Sequence, residues 1–386
     1  MRNEQAWEAS RPTSDREAQV SGQRASRLRS GLLWLSVVCG LGCDVYDPAF
    51  LNRIDSGRTE RDGGIDGGPF DGGGTDAGER DAGIEDAGVD AEPACGRVPP
   101  ARPAAAGGDM TVSFAMKDPI IDQSGDLWYE VAYDLDDECT PDSTPSNECN
   151  VASAMTDGPA GQDNMIGRIV LPAILSFEPD YPADTARNME EGNTFIVRIE
   201  GWNGEDDDGA VRATLAQTVA LRRADMATEP SWEDGLDVWS VSESNFRITG
   251  EPLLLDDAAY IAGRVLVFRL PDRENIVLPN GDTRNFTLRL TDASIVGRIS
   301  DDGSRLENAS LHGRFGVDDL RSSLIDSFCI EPVAVAALNV TLENARDLRS
   351  DPSSTGPGLE CNAVSIAVGF TGYRAIFGDV EADGFV

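Results

Sequence analysis

Apolar and polar residues alternate in short stretches over most of the chain after residue 110. Phe286, Leu288 and Leu290 share one face of such a stretch, with polar residues between them. Residues 309–315 alternate in the same way, which places His312 on the polar face. A period of two predicts half-buried β-strands. The same pattern predicts further strands over residues 111–116, 128–134, 194–202, 211–221, 260–270, 295–299 and 364–371.

Two segments have helical spacing instead. Leu320, Leu324 and Phe328 recur every four residues behind an aspartate that can cap a helix. Residues 164–177 form a second predicted helix, interrupted at Pro172. Helices are therefore a minor component beside the strands.

The predicted fold is mostly β: an antiparallel β-sandwich or barrel-like domain with one or two short helices, preceded by a disordered tether. Glycine and aspartate turns between many short strands favour this class. The folded domain covers residues 95–386. A stretch rich in acidic residues at 229–237 is a candidate boundary between two subdomains.

The N-terminal region reads as an export signal over residues 1–42. Its apolar run, residues 31–42, is too short for a membrane-spanning helix and suits a signal-peptide core. Small residues close the run before Cys43, the predicted lipidation site. The alternative is an ordinary secretory signal with Cys43 as a plain thiol, because Gly40 stands where a bulky aliphatic residue is usual. The first 20 residues are long for this region, and a translation start near Val20 would leave a more ordinary flank.

Residues 43–94 form a tether rich in aspartate and glycine. Five-residue units beginning with Asp-Gly or Asp-Ala-Gly repeat from Asp66 to Asp86. Such a composition cannot bury enough apolar surface to offset chain entropy, so we expect a lipid-anchored disordered linker. It would span about 35–45 Å on average.

The formal net charge of -36 excludes one class of partner. Nucleic-acid binding needs clustered basic residues, so nucleic acid is not an expected partner. An anionic membrane would repel the domain, which leaves the lipid as the attachment. The expected location is the cell envelope, at the outer membrane or cell surface rather than the cytoplasmic membrane.

Five cysteines remain beyond the signal and the anchor. In an oxidising envelope they are expected to form disulfides rather than metal sites, since no CxxC spacing is present. The preferred pairs are Cys139 with Cys149 and Cys329 with Cys361. Cys95 is then left without a partner.

Several motifs resemble predicted surface lipoproteins of myxobacteria. They are Cys43-Asp-Val-Tyr-Asp-Pro, the Asp-Gly/Asp-Ala-Gly tether, Cys95 leading into Val98-Pro-Pro-Ala-Arg-Pro, Tyr133-Asp-Leu-Asp-Asp-Glu-Cys, Gly201-Trp-Asn-Gly and Cys361-Asn-Ala-Val-Ser. The resemblance covers most of the chain and implies location and architecture. It brings no activity with it.

The sequence gives little support for catalysis. His312 is the only histidine, and its predicted place is an exposed strand face. No Gly-x-Ser-x-Gly elbow and no phosphate-binding Gly-Lys-Ser/Thr motif is present. The sequence therefore favours a protein that is not an enzyme, without deciding the question.

An acidic segment offers two kinds of chemistry. Calcium binds six to eight oxygens and tolerates loop geometry, and the candidate ligands are Asp134, Asp136, Asp137, Asp157, Asp163 and Asn164. The alternative is a carboxylate-dependent glycoside hydrolase on a concanavalin-like sandwich, because residues 134–138 faintly resemble the catalytic strand of that family. The spacing to Glu138 is one residue short of that pattern.

Three aromatic residues have two interpretations. Trp202, Trp239 and Tyr260 are expected in the core, with a sugar-stacking platform as the alternative. The resulting hypothesis is a lipid-anchored envelope protein whose domain binds a carbohydrate or an envelope protein, with calcium as a possible support.

Overall fold

The structure is a computed structural model that describes residues 96–382, except 105, 140–148, 151–156, 281–283, 329, 331 and 355. The predicted signal, Cys43, the tether, Cys95 and Cys329 lie outside the described residues. Within the described part, the strands in chain order are β1 (Met110–Ile120), β2 (Phe195–Trp202), β3 (Asp208–Arg223), β4 (Asp237–Ser242), β5 (Leu254–Ala262), β6 (Val265–Arg269), β7 (Asn275–Asn280), β8 (Arg284–Ile299), β9 (Arg305–Gly316), β10 (Ala363–Arg374) and β11 (Ile376–Glu381).

Strand β3 closes the sheet into an eight-stranded antiparallel barrel. It pairs with β2 on one side and with β5 on the other, which completes the ring β3-β2-β1-β10-β9-β8-β6-β5. The far half of β3 leaves the ring and pairs with β4, and β11 adds to β4 in parallel. Strand β7 pairs only with the first half of β8. The predicted class, mostly β and barrel-like, is confirmed.

Strand alternation places one set of side chains inside the barrel and a second set outside it. Phe114 and Val197 belong to the main core, which draws on all eight ring strands. Their neighbours Ala115 and Ile196 point outward and are also buried, because Trp239 of β4 packs over them. The barrel therefore has apolar surface on both faces of β1 and β2.

Helices cover the end of the barrel where β1 and β9 finish and β2, β8 and β10 begin. Leu320 and Leu324 of the predicted four-residue pattern are buried there, and Phe328 packs beside them. The helices in chain order are α1 (Leu127–Glu130), a π-helix (Ile166–Val170), α2 (Leu171–Leu175), α3 (Tyr181–Glu190), α4 (Val317–Phe328) and α5 (Pro332–Ala345). This is more helix than the sequence predicted.

Two strand predictions are wrong in detail. Residues 128–134 do not form a strand: they hold α1 and the loop after it. Residues 260–270 form a hairpin rather than one strand, because Gly263 and Arg264 both have positive φ and make a two-residue turn between β5 and β6. The stretch at 229–237 lies in the connection from β3 to β4.

Candidate functional site

Three of the predicted calcium ligands come together in a loop beside the barrel. One carboxylate oxygen from each of Asp134, Asp136 and Asp163 lies within 4.8 Å of the other two. Asp134 and Asp163 are buried and Asp136 is half-buried. The cluster joins two segments that are 29 residues apart in sequence, and hence depends on the tertiary fold.

The Asp134 side chain shapes the first of these segments. Its Oδ1 accepts the backbone N–H groups of Asp136 (3.2 Å) and Asp137 (2.7 Å), which turns the chain back on itself. Its Oδ2 is buried and has no hydrogen-bond partner among the described residues. Burial raises the pKa of Asp134, although these backbone N–H groups oppose the shift.

Asp163 fixes the second segment to the first. Its Oδ2 accepts the backbone N–H of Leu135 at 2.7 Å. Burial raises the pKa of Asp163 well above its ordinary value, and the charges of Asp136, Asp157 and Asp347 raise it further. The result is a crowded, buried group of acids.

The other predicted ligands are placed differently. Asn164 Nδ2 donates to Gln123 Oε1 (2.7 Å) and to the Trp128 carbonyl (2.8 Å). Its Oδ1 accepts from the backbone N–H groups of Gly167 (3.0 Å) and Ala367 (2.9 Å). Both lone pairs of the oxygen are then occupied, so Asn164 holds the fold together and has no oxygen left for a cation.

Asp137 and Asp157 lie outside the three-carboxylate cluster. Asp137 has a positive φ of 63° at the turn that Asp134 caps. Asp157 interacts electrostatically with both Asp163 and Asp347. It therefore adds negative charge near the cluster without being one of its three members.

The disulfide pairing predicted from the sequence is wrong. Cys149 bonds to Cys361, 212 positions away, so neither the predicted pair Cys139–Cys149 nor the predicted pair Cys329–Cys361 forms. Cys139 is itself disulfide-bonded. Proximity in sequence favoured the short loop, but Asn150 forms a β-bridge with Glu360, and this bridge brings Cys149 beside Cys361.

His312 is buried, contrary to its predicted exposure. The outward face of β9 is covered, and the Tyr133 ring lies 4.8 Å from the imidazole. Nε2 lies 2.8 Å from Ser294 Oγ, whereas Nδ1 has no hydrogen-bond partner among the described residues. Burial, assisted by the charge of Arg97, lowers the pKa of His312 to about 3. A serine and a histidine therefore meet without the carboxylate that would orient the imidazole in a catalytic triad.

The glycosidase alternative loses the strand on which it depended. Residues 134–138, which this alternative placed on a strand, lie in a loop.

The aromatic residues lie in the core, as the sequence favoured. Trp202, Trp239 and Tyr260 are buried in three separate apolar clusters. They do not form a common platform for stacking a sugar ring.

A cavity that sequence reasoning missed lies between the barrel end and the helices. Its volume is about 90 Å³. Its wall is largely apolar and comes from five strands and four helical segments that are far apart in the sequence. Representative lining residues are Ile121, Phe195, Leu288, Ile366, Val170, Ile174, Leu320 and Leu324.

The polar groups of this cavity are concentrated on one side. Thr185 and Asn188 lie on α3, and Asn193 follows that helix. Thr185 Oγ1 donates to the Tyr181 carbonyl at 2.9 Å, and Tyr181 also lines the cavity. The opposite walls are aliphatic or aromatic, so the cavity has a polar side and an apolar side.

Comparison with models of protein families, with curated proteins and with solved structures gives no match to this chain. The resemblance to myxobacterial surface lipoproteins therefore stays a prediction from sequence motifs. In the described part of the chain, no helix combines the length and apolar character needed to cross a bilayer.

Proposed function

We propose that this chain is a lipid-anchored binding protein of the cell envelope, whose barrel takes the apolar part of a small amphiphile in the cavity beneath its helices. The observation that carries this proposal is the cavity itself, which is apolar on most sides and polar on one. Binding, rather than catalysis, is the expected role.

The size and construction of the barrel support a small ligand. Eight antiparallel strands enclose a space that side chains fill or that holds one small molecule. Here side chains fill the middle, and free space remains at the helix-covered end. A ligand in that position would touch both the barrel wall and the helices.

The helical cover also supports a binding role. The cover includes the π-helix Ile166–Val170, and both Ile166 and Val170 line the cavity. π-helical turns are rare in proteins, and those that occur are often found at functional sites. It widens the helix here beside the space that the ligand would occupy.

The distribution of polar groups favours an amphiphile over a purely apolar molecule. Thr185, Asn188 and Asn193 offer neutral hydrogen-bonding groups on one side only. An aliphatic chain would lie against Ile174 and Leu324, with a hydrogen-bonding head at the amides. Because ligand pockets combine apolar walls with a few placed polar groups, this arrangement suits a molecule with two such ends.

The envelope location rests on the sequence. An apolar run ending at Cys43 and a tether over residues 43–94 would hold the domain near a membrane while leaving it free to reach its surroundings. Amphiphilic molecules are abundant in that setting. Metabolic labelling with a fatty acid, with and without Cys43→Ser, tests the anchor separately from the cavity.

The binding experiment titrates the full-length chain with 1-butanol by ligand-observed NMR, because a cavity of about 90 Å³ has room for a short amphiphile and not for a long acyl chain. Val170→Phe fills the cavity and is expected to weaken binding about tenfold or more, which corresponds to about 1.4 kcal/mol. Val340→Phe makes the same change on the exposed side of α5 and is expected to leave binding unaltered. Equal affinities for the two variants, or no saturable binding by the wild type, would overturn the proposal.

A further inference from the structure

We infer that Asp134, Asp136 and Asp163 bind one calcium ion, which fastens the loop after α1 to the segment that leads into the π-helix. This site is separate from the apolar cavity, and the inference does not depend on the proposed ligand. It narrows the six ligands expected from the sequence to three carboxylates.

The spacing of the carboxylates fits a single calcium ion. Calcium lies 2.3–2.6 Å from its oxygen ligands, so two ligands on opposite sides of it are roughly 5 Å apart. The three clustered oxygens all lie within 4.8 Å of one another. A small inward movement of the side chains would therefore let one ion contact all three at once.

Asp134 supplies the observation that calls for a ligand. Its side chain is only 5% exposed, and its buried Oδ2 has no hydrogen-bond partner among the described residues. A buried carboxylate oxygen without a partner is costly, since it has lost its water without replacement. The other oxygen of the same carboxylate already accepts two backbone N–H groups. A cation at the cluster would satisfy the remaining one.

Gly161 packs against both this oxygen and a backbone carbonyl. A side-chain carbon built on Gly161 would lie 2.9 Å from Asp134 Oδ2 and also 2.9 Å from the Glu138 carbonyl oxygen. The two oxygens thus converge on the same glycine. Calcium accepts mixed carboxylate and carbonyl ligands, so the Glu138 carbonyl oxygen is of a suitable kind.

The electrostatic surroundings favour a cation. The charges that act most strongly on Asp163 are the carboxylates of Asp136, Asp157 and Asp347. Several negative charges held together away from water repel one another, and a divalent ion reverses that repulsion. The loop segments would then be held together by the ion instead of pushed apart.

The test measures calcium binding by the full-length chain after a chelator has removed bound metal. Calorimetry with calcium chloride is expected to show one saturable site, and millimolar calcium is expected to raise the melting temperature by several degrees. Magnesium is expected to bind more weakly because it demands closer octahedral geometry. No heat and no shift in melting temperature with calcium would overturn the inference.

Asp136→Asn is the informative variant, because Asp136 is the half-buried member of the cluster. Without calcium it is expected to melt at or above the wild-type temperature, since one repelling charge is gone. With calcium it is expected to melt below the wild type and to bind the ion at least about tenfold more weakly. A merely structural acid would not produce this reversal.

Asp206→Asn is the matched control, because it removes the same charge from a different, exposed acidic turn. It is expected to leave the calcium response unchanged. If Asp206→Asn abolishes the response and Asp136→Asn does not, the ion binds in that second turn and the proposed site is wrong. If both variants respond as the wild type does, neither cluster holds the ion, and the inference fails as well.

Discussion

Ser294 Oγ and His312 Nε2 lie 2.8 Å apart on the neighbouring strands β8 and β9, and both residues are buried. The two residues face each other directly in the strand register. The histidine is therefore held neutral as part of the barrel wall. A charged imidazole in this position would have to give up its hydration without a compensating anion.

His312 is expected to make the protein sensitive to acid. Its pKa in the folded chain is about 3, below the ordinary 6.5, so the unfolded chain binds a proton that the folded chain does not. Stability from this group is complete above pH 6.5 and falls by about 1.4 kcal/mol per pH unit below it. Urea unfolding of wild type and His312→Gln, from neutral pH downward, measures the difference. The wild type should lose its excess in free energy of unfolding over His312→Gln as the pH falls. An excess that stays constant would contradict the lowered pKa of His312.

Asp347 is expected to give the opposite pH dependence, lowering the stability of the fold as the pH rises. Burial raises its pKa to about 7, whereas the unfolded value is 3.8. The folded chain binds the extra proton between these values, so the contribution of Asp347 is present below pH 3.8 and is lost as the pH rises through about 7. Asp347→Asn is therefore expected to gain stability relative to the wild type as the pH rises through this window.

The same urea series, run in chelator, checks this prediction, with Asp351→Asn as the control. Asp351 is exposed, and its pKa is lowered by hydrogen bonds from Ser353. Asp351→Asn should not produce a gain in the free energy of unfolding that grows with pH. His312 and Asp347 change the stability in opposite directions as the pH rises. Each single variant should therefore show the pH dependence that the remaining group causes.

The Cys149–Cys361 disulfide is expected to make a large contribution to stability. It closes a loop with a sequence separation of 212 residues. In the chain-entropy account, a loop of this size corresponds to about 5 kcal/mol. The double variant Cys149→Ser/Cys361→Ser, compared with wild type by urea unfolding without reductant, measures it. A loss below about 1 kcal/mol would show that the denatured chain is already constrained by other means.

Asp237 is expected to be more important for stability than its neighbour Asp234. Asp237 is buried and accepts the backbone N–H of Trp232 (2.6 Å) and a hydrogen bond from Arg223 (3.2 Å). Asp237→Ala leaves the backbone N–H of Trp232 without its acceptor and removes one partner of Arg223, so a loss of about 1–3 kcal/mol is expected.

Asp234→Ala is the matched control for this prediction. It also pairs with Arg223, at 2.6 Å, but its side chain is 44% exposed, so a smaller loss than for Asp237→Ala is expected. Urea unfolding of the two variants beside the wild type measures both losses. Equal losses of unfolding free energy in Asp237→Ala and Asp234→Ala would contradict this prediction.

Much of the strand content followed from sequence periodicity. The face formed by Leu288 and Leu290 is buried, as its alternation predicted. Residues 128–134 have a similar composition, yet they form α1 and a loop. The reason is that Ala132 and Tyr133 pack against the outside of a finished barrel, so their apolar character reflects tertiary contact rather than strand pairing.

The candidate sites were less predictable. The acid cluster was indicated in part, because Asp134 and Asp136 are neighbours and Asp163 follows within the same region. The cavity gave no local signal. Its residues, such as Ile121, Leu288 and Leu324, read as ordinary core positions, and only their arrangement around free space distinguishes them.

The sequence by itself determined the class of the fold, since strand periodicity and the position of one helix face are local properties of neighbouring residues. The tertiary structure decided the rest. It closed the sheet through β3, buried His312, joined Cys149 to Cys361 and left Asp134 Oδ2 buried without a hydrogen-bond partner among the described residues. Each of these depends on contacts between residues far apart in the chain, and the free energy of such contacts has no signature in a local pattern of residues.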